Sequence, residues 1–187
     1  LIYGEKGSNT MYGGAGDDTI VSLDGEDTAY GGDGEDRIST GAGIDKVFGD
    51  LGNDIIDAGA GDDLIEGGEG DDIIDGGAGV DTIFYSNAPG GVFVDLAAGI
   101  STGGDDDDTI VNVENVTGSD YGDFLYGDAN NNAIDGGAGD DFLDAGLGND
   151  TINGGGGKDT VDYSMADAAV FVDLTKGSQQ VATAMTH

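Results

Sequence analysis

Apolar residues return at every ninth position along most of this chain. Met11, Ile20, Ala29, Ile38, Val47, Ile56, Ile65, Ile74 and Ile83 form one series, and Leu125, Ile134, Leu143, Ile152 and Val161 form a second. Each is the middle of a three-residue run such as Thr19-Ile20-Val21, and six residues rich in Gly and Asp precede each run, as Gly13 to Asp18 do here. Alternate side chains of an extended segment face opposite ways, so only the middle residue of each run points inward. Glycine reaches backbone regions closed to other residues, which lets the six-residue stretch reverse the chain. The pattern predicts strand, loop, strand, loop: a flattened coil with two units, or eighteen residues, per circuit. Successive circuits would stack as parallel strands about 4.8 Å apart. The expected fold is therefore all-β, a parallel β-roll or right-handed β-solenoid, arranged as two rolls with capping segments.

Aligned in nines, the first array runs from Gly4 to Phe84 as nine units and the second from Gly118 to Asp162 as five, without a slip. The template is Gly-Gly-x-Gly-x-Asp-x-apolar-x. Leu1, Ile2 and Tyr3 fit the last three positions of a preceding unit, so the chain is expected to begin inside a longer array. The domain reading is 1–84 for the first roll, 85–117 for a capping and linking segment, 118–162 for the second roll, and 163–187 for a C-terminal cap and frayed end. The cap rests on an internal repeat, since "YSNAPGGVFVDLAAG" from Tyr85 returns as "YSMADAAVFVDLTKG" from Tyr163. In the first copy Val92, Val94 and Leu96 alternate with Phe93 and Asp95 as a strand does. "GGDDDDTIV", Gly103 to Val111, reads as a decayed unit in which Asp108 is a solvated acid rather than a ligand.

Charge changes the picture. Asp and Glu number 39 against 5 Lys and Arg, for a formal charge of -34, and Gly contributes another 39 residues. Such a chain repels itself and buries little apolar surface, so it either stays unfolded or binds cations. Nucleic acid and anionic membranes are poor partners for a polyanion with no basic patch, and no run is long enough to span a membrane. Cysteine is absent, which removes disulfides and thiolate metal sites.

The acids are placed by rule. The sixth position holds Asp18, Asp27, Asp36, Asp45, Asp54, Asp63, Asp72 and Asp81 in the first array and Asp123, Asp141, Asp150 and Asp159 in the second, with Asn9 and Asn132 in the remaining units. Units two apart lie one above the other, so these carboxylates form ladders, and like charges at strand spacing are destabilising without a counter-ion. A divalent ion between neighbours, completed by loop carbonyls, gives an all-oxygen shell of about six; this suits Ca²⁺ better than Zn²⁺, Cu²⁺ or Mg²⁺. Same-edge gaps allow up to about ten Ca²⁺ ions, with the gaps at Asn9 and Asn132 the weakest.

This template closely resembles the nonapeptide of the RTX (repeats-in-toxin) family of hemolysin-type calcium-binding repeats. The resemblance implies a parallel β-roll with calcium between loops, and a bacterial protein secreted by type I export that folds on meeting external calcium. It points to an extracellular or cell-surface location and to a calcium-binding structural module, expected to be monomeric. The alternatives are an adhesive module binding a glycan or protein partner, or the accessory part of a larger enzyme or toxin. Tyr121, Phe124 and Tyr126 could form a sugar platform, although core or cap packing is the favoured reading. Catalysis by this chain is not expected: the carboxylate pair recurs in every unit where a catalytic pair would be singular, and the only histidine is the terminal His187.

Overall fold

The computed structural model describes residues 1–104, 106–164, 170–173 and 181–183. All regular structure in this range is β-strand, and the strands gather into two compact units. The first comprises Leu1–Ile83 with Asp105–Val113, and the second Phe84–Gly104 with Glu114–His187.

In the first unit the chain alternates between two parallel sheets. One contains Ile2–Tyr3, Thr19–Val21, Arg37–Ser39, Ile55–Asp57, Ile73–Asp75 and Asp106–Val111; the other contains Thr10–Ala15, Thr28–Asp33, Lys46–Leu51 and Leu64–Glu69, followed by Thr82 and Ile83. Neighbouring strands pair at an offset of eighteen residues, as in Ile2 with Ile20, Ile20 with Ile38, and Ile38 with Ile56. The period predicts this register. One residue of slip would turn every isoleucine out to solvent, so burial of the eighth position fixes the pairing. Met11, Ala29, Val47, Ile65 and Ile83 face inward from one sheet, Ile20, Ile38, Ile56, Ile74 and Ile110 from the other, and all are buried. Ile2 sits in the eighth-position register ahead of Gly4.

Three-residue strands hold in one sheet, whereas Thr10–Ala15, Thr28–Asp33, Lys46–Leu51 and Leu64–Glu69 each have six residues. There pairing resumes after one skipped residue, so Tyr12 pairs with Tyr30 and Gly14 with Gly32. These loops all have glycine at the first position and a left-handed residue at the second, Gly14, Gly32, Asp50 or Gly68, and approach closely enough to extend the ladder. In the opposite loops only single bridges form, through Asp24, Ala42, Ala60 and Ala78.

Asp106–Val111 enters the first unit beside Ile73–Asp75, with Ile110 on Ile74. The chain thus skips a circuit and returns in the same register thirty-six residues later. In the second unit Val92–Asp95 buries Val92 and Val94 and pairs antiparallel with Ile100–Gly103 and parallel with Phe124–Tyr126. Phe142–Asp144, Thr160–Asp162 and Val181–Thr183 follow in that sheet; Asn115–Thr117, Ala133–Asp135, Asp150–Asn153 and Val170–Asp173 form the other. Val94, Leu125, Leu143 and Val161 meet Val116, Ile134 and Ile152 in the core. Val181–Thr183, expected in a frayed end, pairs with Thr160–Asp162. Residues 165–169, 174–180 and 184–187, including most of the second cap motif and His187, lie outside the described residues.

Candidate metal centres

Each sixth-position side chain leaves the loop just before its strand, so the anchoring apolar residue two places on fixes its height in the stack. The result is two ladders in the first unit. Asp18, Asp36, Asp54 and Asp72 make one and Asn9, Asp27, Asp45, Asp63 and Asp81 the other; Asp123, Asp141 and Asp159, and Asn132 with Asp150, make the ladders of the second unit. All are buried except Asn9 and Asp18, which are half-buried.

One carboxylate oxygen is used the same way along the ladders. Oδ1 accepts the backbone N–H of the counterpart one circuit earlier: Asp36 from Asp18 at 2.7 Å, Asp54 from Asp36 at 2.8 Å, Asp63 from Asp45 at 2.8 Å, and Asp141 from Asp123 at 2.9 Å; Asp123 accepts the Val92 N–H instead. Asp108 extends the first ladder, accepting the Asp72 N–H at 3.1 Å while 5% exposed. The solvated-acid reading of Asp108 is therefore corrected. Ile110 locks into the core opposite the strands of the other sheet and draws Asp108 under Asp72, a placement that the decayed local motif concealed.

The second oxygen is left over. Oδ2 of Asp36, Asp45, Asp54, Asp63, Asp72 and Asp141 is buried and meets no hydrogen-bond donor among the described residues. A buried anion without a donor or counter-ion is strongly disfavoured. Desolvation raises four of these carboxyls, Asp63 to about 6, Asp54 and Asp141 to about 7, and Asp72 to about 8, with neighbouring ladder carboxylates adding to the shift. Asp45 and Asp123 are raised for the same first reason. The Thr40 hydroxyl beside Asp45 donates to the Ala58 carbonyl at 2.9 Å, so its proton is committed elsewhere.

Glycine makes room for the same oxygens. A Cβ built on Gly49 would overlap both the Asp54 Oδ2 and the Gly67 carbonyl, and one on Gly31 would meet Asp36 Oδ2 and the Gly49 carbonyl. A carboxylate oxygen and a carbonyl of the next circuit therefore border one small space. Among the described residues no group of three or more His, Cys, Asp or Glu side chains is arranged to hold a metal ion by itself. Any cation here needs backbone oxygens, and this oxygen-only donor set fits a hard ion such as Ca²⁺. Gly49→Ala should lower stability in calcium by about 1–3 kcal/mol through overpacking, read as a lower melting midpoint. An unchanged midpoint would contradict the cradle. Gly118 and Gly136 repeat this cradle in the second unit, whereas the other row of the first unit admits Ser22, Thr40 and Ala58 at the equivalent position.

Two features are absent from the sequence reading. Position five forms a ladder of its own in the opposite sense: Asp17, Asn53, Asp62, Asn131 and Asp140 accept N–H groups of residues one circuit later, with Val80 to Asp62 at 3.0 Å and Lys158 to Asp140 at 2.8 Å. The signal was available in the recurrent Asp and Asn at that position. Asp50, at the second position, takes a left-handed φ of 74° normally left to glycine, and burial followed by the charge of Asp36 raises its pKa.

Asn9 and Asn132 place an amide where the other ladder positions have a carboxylate. Asn9 turns its amide nitrogen, not its oxygen, toward the carbonyls of Glu5 and Gly7, and Asn132 turns its nitrogen toward the Glu114 carbonyl. Carbonyls only accept, so an NH₂ group must face them.

Tyr126 packs against Phe93 of the first cap segment and against Phe142, at ring separations of 5.5 and 5.7 Å, as cap packing predicts. Tyr121 and Phe124 are 51% and 52% exposed, so core packing does not hold for them. Phe124 stands at a strand position that points away from the core, beside Phe142 at a ring separation of 6.0 Å. Tyr12, Tyr30 and Phe48 stack at 5.0 and 4.8 Å with nearly parallel planes. Their faces cover one another, which leaves few faces for a sugar ring. Among the described residues no helix is long and apolar enough to cross a membrane.

A sequence model of the RTX calcium-binding nonapeptide repeat, in four copies, matches residues 1–29, 12–47, 30–65, 48–83, 117–152 and 138–164. These matches cover both arrays. No curated protein matches the chain.

Proposed function

The chain belongs to the RTX calcium-binding nonapeptide repeat family, and from that premise we propose that it is a module of a secreted bacterial protein that folds when it binds calcium outside the cell. The family repeat is a structural calcium-binding module rather than a catalytic domain, and the recurrence of one carboxylate arrangement in every unit agrees with that role. The observation that carries the reading is the row of buried Oδ2 atoms with no donor, on Asp36, Asp45, Asp54, Asp63, Asp72 and Asp141.

In this reading the ladder aspartates Asp18, Asp27, Asp36, Asp45, Asp54, Asp63, Asp72, Asp81, Asp123, Asp141, Asp150 and Asp159, with Asp108 added, supply charge. Loop carbonyls supply the remaining oxygens. Calcium supplies the positive charge that lets neighbouring carboxylates ionise together. The chain's own residues set the geometry: the eighth-position side chains hold the loops in register, and the backbone N–H groups orient each carboxylate through Oδ1. Because the sites exist only in the folded chain, binding free energy becomes folding free energy. The cytoplasm, poor in free calcium, would leave the chain open for export, and the folded module would act as a monomer.

Isothermal titration should saturate well above three equivalents of Ca²⁺ and at no more than about ten, with Mg²⁺ failing to compete at equal concentration. Saturation at two or three equivalents would contradict the ladder, and equal competition by Mg²⁺ would contradict the cage of protein oxygens.

A further inference from the structure

The sixth-position side chains are not equivalent, and the difference lies in what reaches them. On Asn9 the amide nitrogen meets three oxygens, the Glu5 carbonyl at 2.6 Å, the Gly7 carbonyl, and Asp27 Oδ1 at 2.9 Å. A primary amide presents two hydrogens and partial positive charge, and here oxygens from its own loop and from the next circuit converge on it as they would on a hard cation. Asp27 is satisfied in turn. Its Oδ1 also accepts the Asn9 N–H at 2.7 Å and its Oδ2 accepts the Ser22 hydroxyl at 2.6 Å. It is not among the residues with a donorless Oδ2, in contrast to Asp45 and Asp63 above it.

The second unit begins with the same substitution made by other donors. Asn132 Nδ2 donates to the Glu114 carbonyl at 2.6 Å, and its Oδ1 accepts the Asp128 N–H at 2.9 Å. Asp123 accepts the Ser119 N–H at 2.6 Å and the Ser119 hydroxyl at 2.8 Å. These two loops carry Tyr121 and Asn130 at the fourth position. Ser119, Tyr121, Asp128 and Asn130 all lack the left-handed backbone adopted by Gly14, Gly16, Gly32 and Gly34. Ser119 and Asp128 instead turn an N–H toward the sixth side chain, while the Tyr121 and Asn130 N–H groups donate to the side chains of Ser119 and Asp128. An N–H presents its positive end where a cation requires oxygen.

We infer that the side-chain amides of Asn9 and Asn132 are built-in substitutes for a metal ion, each closing one inter-loop gap near the N-terminal end of its unit without calcium. The inference rests on the calcium reading above and refines it. The array would hold fewer ions than its gaps allow, and each unit would have one junction between circuits that forms without metal. A roll growing from such a junction already has a template for its next, calcium-bound circuit.

Native mass spectrometry of the full chain at saturating calcium tests this by counting ions. Asn9→Asp should bind one ion more than the unaltered chain, because it restores a carboxylate where the carbonyls of Glu5 and Gly7 already converge; Asn132→Asp should add none, because the Asp128 N–H already points at that side chain. Asn9→Ala should leave the count unchanged, and this variant decides the matter if the Asp variants do not fold. Equal counts for folded Asn9→Asp and the unaltered chain, or loss of one ion in Asn9→Ala, would overturn the inference. Failure of the unaltered chain to take up any calcium would instead overturn the functional reading on which it rests.

Discussion

In excess chelator at pH 7.5, the far-ultraviolet circular dichroism of this chain should be that of a coil, and millimolar Ca²⁺ should restore a β spectrum. The expected change is close to complete because two terms act together. A formal charge of -34 on 187 residues drives expansion, and the interior of each unit is thin, with one buried apolar residue per nine. Buried donorless oxygens on six ladder aspartates add a direct penalty to the metal-free fold. Binding of ions only by the folded chain reverses both terms, and the stabilisation grows with the logarithm of calcium concentration. A β spectrum that survives the chelator would show that the core and the N–H ladders suffice alone.

Acid should partly replace calcium. In the fold, burial lifts Asp63 to about 6, Asp54 and Asp141 to about 7, and Asp72 to about 8, from the ordinary carboxyl value of 3.8. A carboxyl raised on folding favours the folded state while protonated. Its contribution is full below the unfolded pKa near 4 and is lost as pH rises through the folded pKa, here between about 6 and about 8. The chelated chain should therefore become more compact and richer in strand as pH falls from 8 to 5, read by small-angle scattering and circular dichroism. The calcium-loaded chain should respond oppositely, since protons compete with the ion for the same oxygens and apparent calcium affinity should rise with pH. A chelated chain that is most expanded at pH 5 would sink this account.

The aromatic rows limit what else the module does. The parallel rings of Tyr12, Tyr30 and Phe48 behave as a cross-strand ladder on the outer sheet face, where identical offsets place like side chains side by side. Offset stacking of this kind is worth about 0.5–1.5 kcal/mol per pair beyond burial, so a stabilising role accounts for the row without a ligand.

Register was legible because it follows from one local rule. An apolar residue every ninth position has a single interior place to go, so Ile20 pairs with Ile38 and Ile56 with Ile74, and the sixth-position aspartates are carried into ladders by the same offset. The hydrophobic period and the glycine spacing thus determined the fold, the two arrays and the kind of ion. Tertiary structure alone decided how each ladder ends. That Asp108 joins Asp72 across thirty-six residues depends on a strand returning to a sheet it had left, and no local spacing encodes that return. That Asn9 shows its nitrogen rather than its oxygen depends on the surrounding carbonyls of Glu5 and Gly7 and on the Asp27 carboxylate one circuit away. Side-chain orientation is set by the partners that converge in space, whereas chain periodicity fixes only the height at which they meet.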